Sequence, residues 1–392
     1  MRPPLSRRLA GFGTTIFTEM TRLAQEHGAI NLAQGFPDFD GPDHVKDAGI
    51  AAIRAGHGQY ARMTGIPALN AEISAKYSRG YGLEFDPDRE VTVTSGCTEA
   101  IFATLNGICD VGDEVVVFQP FYDSYRASIF MAGATPRVVN LRWPDFQFDP
   151  AALTAAFGPR TRAILLNSPH NPTGKVFRRD ELELIARLCV AFDVLCISDE
   201  VYEHLVFEGE HIPIATLPGM AERTITLSSL GKTWSLTGWK IGWAVAPAPL
   251  SAAVRTAHQF ITFATATPLQ WGAVAALRSE PSYYQTLIHD YRERRDYLCE
   301  ALTRLGFSLR PPEGTYFVCA GIERLAHVRA DAEEPASDIT FCRELTRRGV
   351  AVIPPSVFYE DARLGRDYVR FAFCKRMETL RAAVERLERV LG

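Results

Sequence analysis

The sequence predicts an α/β fold with a mostly parallel sheet covered by helices on both faces, and three observations carry that expectation. From Glu90 onward, short β-rich runs alternate with helical patterns instead of pairing as hairpins. Polar clusters follow directly after several of these runs, where ligands bind in such sheets, at the carboxyl ends of the strands. From about Pro281 the pattern changes to a long charged helix followed by shorter strands and helices, the mark of a smaller α+β domain.

Each element has its own local reason. From Thr14 to Glu26, Ile16, Met20, Leu23 and Ala24 recur at helical spacing after Gly11 and Gly13, which predicts a helix on an N-terminal arm. A short strand at Ile30 breaks into a loop dense in Gly, Pro and Asp, read either as plain connection or as a lid whose backbone at Gly35 approaches a ligand. Helices are expected over Val45–Ala55 and Ile66–Tyr77, with Tyr60 in the loop between them, where nothing local explains it as core. Strands follow at Val91–Thr94, Glu114–Phe118, Val138–Leu141, Ala163–Asn167, Val194–Ser198, Thr224–Leu227 and Ile241–Val245. Beyond them come a helix over Tyr283–Leu305, strands near Phe307, Thr315–Val318, Val350–Ile353 and Tyr368–Phe373, and an acidic, alanine-rich loop near Ala330–Ala336. A helix from Ser337 and a closing helix with Met377, Leu380, Val384, Leu387 and Leu391 on one stripe complete the chain.

Composition narrows the function. At 392 residues the chain can hold two domains, and 47% apolar with 22% charged residues is ordinary for a soluble globular protein. A net charge of -4 offers no basic footprint for nucleic acid or a membrane surface, so small-molecule chemistry is the default. The eight cysteines are scattered singly in mostly apolar runs, as in a reduced cytoplasm, and the charged, proline-bearing start lacks the apolar core of a signal peptide. No segment approaches a membrane span.

The chemistry centres on Ser228–Trp243, with Lys232 in the connection between two strands. Small neighbours at Ser229 and Gly231 let backbone pass close to a ligand, and two tryptophans of the stretch are expected to wall it from water. Desolvation and the charge of Lys240 would disfavour the ammonium form, leaving an amine able to attack a carbonyl. A phosphate-cradling nucleotide loop ending in Gly231-Lys232-Thr233 is excluded because Thr226 stands where that motif needs glycine. A solvated lysine in a surface turn stays open.

Ser95-Gly96-Cys97-Thr98 follows a strand and opens a helix, either a simple turn or an anion site made of backbone N–H groups. Asp199 ends a buried strand with Tyr202 close by, placed to hold a proton on a partner nitrogen or simply to begin a helix. A metal cluster of Glu200, Glu203 and His204 lacks a second histidine at matching spacing, so no metal site is expected. Asn167 and Asn171 lie in a proline-stiffened loop where an amide can donate to a phenolate-like oxygen, with His170 a structural or pocket-lining residue. Arg370 points opposite Val369, Phe371 and Phe373, either a carboxylate fork or a surface arginine on an edge strand.

In combination, Asn-Pro-Thr-Gly at Asn171, Ser-Asp-Glu-Val-Tyr around Asp199, Ser-Leu-Gly-Lys at Lys232, Gly-Trp-Lys at Lys240 and the late Arg370 resemble the class I/II, pyridoxal-phosphate-dependent aminotransferases of fold type I. The front Asn-Leu-Ala-Gln-Gly-Phe-Pro-Asp-Phe and the middle Asn-Ser-Pro-His-Asn-Pro-Thr-Gly-Lys-Val-Phe most resemble the kynurenine/glutamine/methionine branch. The resemblance spans nearly the whole chain. It implies a mostly parallel seven-stranded sheet in a large domain over residues 43–282, with a small domain built from residues 283–392 and the arm over residues 1–42.

It also implies roles. Lys232 would anchor pyridoxal 5'-phosphate covalently and shuttle the substrate proton, with Asp199 on the pyridine nitrogen, Asn171 and Tyr202 on the phenolic oxygen and Tyr122 stacked on the ring. Gly96, Cys97, Thr98, Ser229 and Lys240 would meet the phosphate, and Tyr60 would reach the phosphate of a neighbouring subunit in a homodimer. Arg370, Asn171 and the Gly35 backbone would clamp the substrate carboxylate. Lys240 replaces the arginine many relatives carry, and Cys97 leaves its part of the turn to backbone and Thr98. The implied activity moves the amino group of a neutral, bulky amino acid to a 2-oxo acid in the cytoplasm, with Phe12, Phe17, Phe36 and Tyr122 at the expected mouth. A cysteine-conjugate β-lyase or a specialised biosynthetic enzyme on the same fold is the alternative; a regulatory module lacks room for a DNA-binding domain before the arm.

Overall fold

The computed structural model describes residues 6–9, 11–13, 15–325 and 337–391. Helix α1 (Ile16–Glu26) begins where the Thr15 side chain accepts the N–H of Thr18, and it buries Met20, Leu23 and Ala24, the stripe its spacing predicts. Strand β1 (Ile30–Asn31), α2 (Asp43–Arg54) and α3 (Pro67–Tyr81) follow. Pro67 occupies the first turn of α3, where a missing N–H costs nothing, and Gly82 ends the helix in the left-handed conformation at φ 66°.

Strand and helix then alternate through β2 (Val91–Ser95), α4 (Gly96–Ile108), β3 (Glu114–Gln119), α5 (Asp123–Met131), β4 (Thr135–Asn140), α6 (Pro150–Ala156), β5 (Thr161–Asn167), α7 (Arg179–Phe192) and β6 (Leu195–Asp199). After β7 (Thr224–Ser229) comes a single-turn helix, α8 (Leu230–Thr233), and then β8 (Ile241–Val245). The seven strands form one sheet in the order β2-β8-β7-β6-β5-β3-β4, parallel except for β8, which runs antiparallel to both neighbours. The strand expected at Val138 starts earlier, at Thr135, because Pro136 is tolerated on the sheet's edge strand.

The remainder comprises α9 (Ala248–Ile261), α10 (Thr267–Leu277), α11 (Pro281–Arg304), β9 (Ser308–Leu309), β10 (Phe317–Gly321), α12 (Asp338–Arg347), β11 (Val350–Ala351), β12 (Tyr368–Ala372) and α13 (Met377–Leu391). Strands β12-β10-β9 make an antiparallel sheet, while β1 and β11 pair in parallel. β10 begins two residues later than expected because Thr315 sits at φ 65°, outside strand geometry. The strand expected through Ile353 ends at Ala351, and Ile353 instead bridges to Arg370. The acidic stretch near Ala330–Ala336 lies outside the described residues.

One buried cluster joins the two ends of the chain, bringing Met20, Leu23 and Leu32 against Leu298, Phe341, Val369 and Leu380. Separate clusters fill the two faces of the large sheet, Val116, Ile164 and Cys196 on one and Val115, Leu165 and Ile197 on the other, as strict alternation along buried strands requires.

Candidate active site

Strand register assembles the site. β5 ends at Asn167 beside Asp199, the end of β6; β7 ends at Ser229; and β8, being antiparallel, begins at Ile241 opposite Ser95, the end of β2. Side chains from five strands thus converge on one edge of the sheet, around a cavity of about 280 Å³. Of the residues the sequence singles out, Gly35, Gly96, Cys97, Thr98, Tyr122, Asn171, Asp199, Tyr202, Ser229, Lys232 and Lys240 line it.

Lys232 lies on α8, its amine 5.6 Å from the ring centroids of both Tyr202 and Tyr316. Burial lowers its pKa, opposed by Cys374, Asp199 and Cys97 and reinforced by the charge of Lys240. Asp199 is buried and its carboxyl is pushed up by desolvation. Three donors oppose that rise: the Tyr125 hydroxyl at 2.6 Å, the Val201 N–H at 3.3 Å and the Cys97 thiol at 3.5 Å. A cationic nitrogen beside this carboxylate would complete its charge balance.

The turn at Gly96 depends on a second glycine. A Cβ on Gly242 would stand 2.5 Å from the Gly96 carbonyl carbon and 2.6 Å from the Cys97 nitrogen, so only glycine lets β8 pass beneath the N-terminus of α4. Gly96 itself has φ 74°, and a Cβ there would come within 3.1 Å of the Lys240 amine. Several N–H groups and one ammonium therefore face the same spot, a setting for an anion.

Arg370 is 2% exposed, so the edge-strand surface reading of this residue is corrected: β12 is an edge strand, but its Arg370 face is turned inward under Phe17, Phe317 and Phe358. Nη1 donates to the Asn171 side-chain oxygen at 3.2 Å and Nη2 to the Ala33 carbonyl at 3.0 Å, while buried Nε has no partner. No carboxylate among the described residues pairs with it. Burying an unpaired guanidinium is costly, so this position is prepared for a ligand's carboxylate.

Tyr60, expected to reach a neighbouring subunit, does not line this chain's own cavity; it is 83% exposed, its ring against Phe263. Two other expectations shift. Phe36 borders the cavity, but Phe12 packs on Phe130 and Arg126 instead, because the arm runs along α5. Tryptophan does not wall the cavity: Trp234 and Trp243 belong to the core around Tyr77, and tyrosines 122, 125 and 202 line the pocket. His170 is buried, bonded to Thr173 at 2.8 Å, and desolvation lowers it to about 3, which suits a structural role.

Beside Glu200 and Glu203, the histidine that sequence spacing did not reveal is His211; its possible ligand atom lies within 4.8 Å of theirs. Both carboxylates are already met by protein donors: Lys76 at 2.6 Å, Tyr81 at 2.8 Å and Ser228 at 3.0 Å on Glu203, Ser198 at 2.7 Å on Glu200. Burial pushes Glu203 up, but Lys76 with His204 and His211 brings it down to about 2, the behaviour of a structural ion pair.

Sequence reasoning missed Tyr125 and Tyr316, whose hydroxyl donates to the Gly35 carbonyl at 2.5 Å. Tyr125 had one signal: it follows Tyr122, the residue that caps α5, by three positions, and both line the cavity.

A desolvated lysine, a buried carboxylate on the adjoining strand end, an anion-accepting turn and an unpaired buried arginine define a pyridoxal-phosphate enzyme acting on amino acids, and the residues present fit that cofactor. The model of the family described as "Aminotransferase class I and II" matches residues 27–387. The methionine aminotransferase of Escherichia coli is 41% identical over 98% of this chain and 97% of its own, and its structure superposes with a TM-score of 0.92. The structure of the N-succinyldiaminopimelate aminotransferase from Mycobacterium tuberculosis is 44% identical, covers 98% of this chain and 100% of its own, and has a TM-score of 0.94. Mouse kynurenine–oxoglutarate transaminase 3 is 39% identical over 97% of this chain and 89% of its own. The chain belongs to the class I and II aminotransferases, and pyridoxal phosphate is its cofactor.

Proposed function

We propose that this aminotransferase takes its amino group from a neutral, bulky amino acid, methionine, glutamine, kynurenine or an aromatic one, and passes it to a 2-oxo acid. The observation that carries the reading is Arg370, buried without a carboxylate partner and joined through Asn171 to the cavity that holds Lys232. Aromatic Phe36 and Tyr122 border that cavity, which favours an apolar or sulfur-bearing side chain. The names of the methionine and kynurenine relatives point the same way.

Bound here, pyridoxal phosphate supplies an electron sink that stabilises negative charge at the substrate Cα. The remaining work falls to the chain. Lys232 would hold the cofactor covalently and, once free, would carry the proton to and from that carbon, a task eased by its lowered pKa. Asp199, oriented by Tyr125 and Cys97, would keep the ring nitrogen protonated. Tyr202 and Asn171 would donate to the phenolic oxygen, Tyr122 would lie against the ring, and Gly96, Cys97, Thr98, Ser229 and Lys240 would receive the phosphate, all of them lining the one cavity. Arg370, with Asn171 and the backbone at Gly35, binds the substrate carboxylate.

The working form is a homodimer, in which exposed Tyr60 reaches the partner subunit's phosphate, and it acts in the cytoplasm in amino-acid metabolism. Among the described residues no helix is long and apolar enough to cross a membrane, and all eight cysteines are free. The large domain comprises residues 43–282, with residues 1–42 and 283–392 forming the small one, a division supported by the core that joins Met20 and Leu32 to Phe341 and Leu380.

The test is the visible spectrum of the cofactor-loaded protein and of Lys232→Ala, before and after methionine, glutamine, kynurenine, phenylalanine or N-succinyldiaminopimelate is added without any oxo acid. A band that bleaches with neutral donors in the wild type alone supports the reading and ranks them. Bleaching with N-succinyldiaminopimelate alone moves the substrate class, and pyruvate and ammonia released together with a thiol from a cysteine S-conjugate, without any oxo acid, would move the reaction to β-elimination.

A further inference from the structure

The C-terminal end of α9 meets two segments that matter to cofactor binding. His258 is fully buried, and each of its ring nitrogens faces an oxygen: Nδ1 lies 2.6 Å from Oε1 of Glu99, and Nε2 lies 2.9 Å from the carbonyl oxygen of Met63. A carbonyl can only accept, so Nε2 carries a proton. The second proton lies between Nδ1 and Glu99. The other carboxylate oxygen of Glu99 accepts the N–H of Ser95, and Glu99 stands in the first turn of α4, where the helix dipole favours a negative charge. This geometry favours the proton on Nδ1, which would make the histidine an imidazolium.

The two partners belong to different places. Ser95 and Glu99 frame the phosphate turn at Gly96, whereas Met63 lies in the loop that carries Tyr60. That loop is braced from the same side: the Phe263 ring is 5.5 Å from that of Tyr60, and the Thr267 hydroxyl donates to the Gln59 carbonyl at 2.7 Å. Tyr60 itself is left facing outward.

We propose that His258, held as a buried imidazolium, is a positioning residue that ties the phosphate turn of its own site to the loop presenting Tyr60 to the partner's site. The link to the partner rests on the reading of Tyr60 given above; the tie within the chain does not. Among the titratable groups facing His258, Glu99 on α4 is the one that bonds it. Arg255, one turn earlier on α9, donates to the Thr92 hydroxyl and the Val91 carbonyl, and Arg62 in the loop donates to the Gly65 carbonyl and pairs with Asp88. Burial works against the charge, but the Glu99 bond and its charge, helped by the carbonyls of Met63 and Phe263, hold His258 above the usual histidine range.

Two measurements on the holoenzyme test this. In the 15N spectrum of histidine-labelled protein, which has nine histidines, one should keep both nitrogens protonated at pH 7.5, vanish in His258→Gln and shift in Glu99→Gln. A neutral tautomer at that position overturns the proposal, and Glu99→Gln, which retains the histidine, supplies the assignment should His258→Gln not fold.

The second measurement is the rate of cofactor release into an apoenzyme trap as pH is raised. Loss of a charge-assisted bond should accelerate release about tenfold in His258→Gln or Glu99→Gln and flatten the wild type's rise with pH. Unchanged rates and an unchanged profile in both variants overturn the proposal. If Tyr60→Phe alone leaves release unaltered, the tie to the partner's site fails while the tie within the chain stands.

Discussion

Replacing Arg370 by lysine removes the planar fork but keeps the charge. In the structure Nη1 is engaged by Asn171 and Nη2 by the Ala33 carbonyl, so the guanidinium is fixed in plane before any substrate arrives. A lysine offers one mobile ammonium in place of two oriented N–H groups. A hydrogen bond to a charged group contributes about 1.5–3 kcal/mol. Losing one of two, and the orientation of the other, should cost about 2–4 kcal/mol. At 1.36 kcal/mol per decade, that is roughly a 30- to 1000-fold fall in kcat/KM for an amino acid donor. The assay is single-turnover bleaching of the cofactor band with methionine and with its decarboxylated amine. The wild type should favour the acid by a large factor, and Arg370→Lys should lose most of that preference while keeping the band itself. Because the native guanidinium lies buried without a carboxylate, Arg370→Met should melt no lower than the wild type in the absence of substrate, a control for folding. A fall of less than about fivefold, or equal losses for acid and amine, would refute the assignment of Arg370 to the substrate carboxylate.

Three other outcomes are expected. Gly242→Ala places a methyl 2.5 Å from the Gly96 carbonyl carbon, and relieving such overpacking costs about 1–3 kcal/mol, so cofactor affinity measured by titrating the apoenzyme should drop about 5- to 160-fold. Tyr125→Phe deletes the 2.6 Å bond to Asp199 and should weaken cofactor binding about tenfold with little change in the fold seen by circular dichroism; unchanged binding would remove Tyr125 from the site. Burial lowers His170 to about 3 and His204 to about 4, so below the ordinary value of 6.5 the unfolded chain binds protons that the folded chain refuses, and stability falls with pH. At pH 5 each group should cost about 2 kcal/mol, so His204→Phe should show a visibly shallower loss of urea midpoint between pH 7.5 and 5 than the wild type.

Much of this was legible because the relevant signals are local. A strand followed by a polar turn marks Ser95, Asn167, Asp199 and Ser229 without knowledge of the fold, and the sheet rule then places all four on one edge. The antiparallel direction of β8 was not legible, since its apolar run reads the same in either direction, yet it brings Lys240 to that edge. Tyr125 and Tyr316 were missed because their roles arise only through tertiary packing; a buried tyrosine on a helix, or just ahead of a strand, looks like core until its hydroxyl finds Asp199 or the Gly35 carbonyl. His211 escaped for the same reason, lying eleven residues beyond Glu200 in a loop. The burial of Arg370 also depended on long-range order, because the covering Phe17 lies on the first helix.

The pairing of β1 with β11, Ile30 beside Val350, has a consequence for the order of synthesis. The large sheet is complete once Val245 has emerged, so a nascent chain can already gather Asp199, Lys232 and the turn at Gly96. Gly35 and Ala33 must wait for the last strands, since Ala33 meets Arg370 and Leu32 accepts the N–H of Ala372. Domains fold as units as they leave the ribosome. In the order of synthesis, the strand ends that carry Asp199, Ser229 and the turn at Gly96 are thus made well before Arg370, which lies on the last strand and is assigned to the substrate carboxylate.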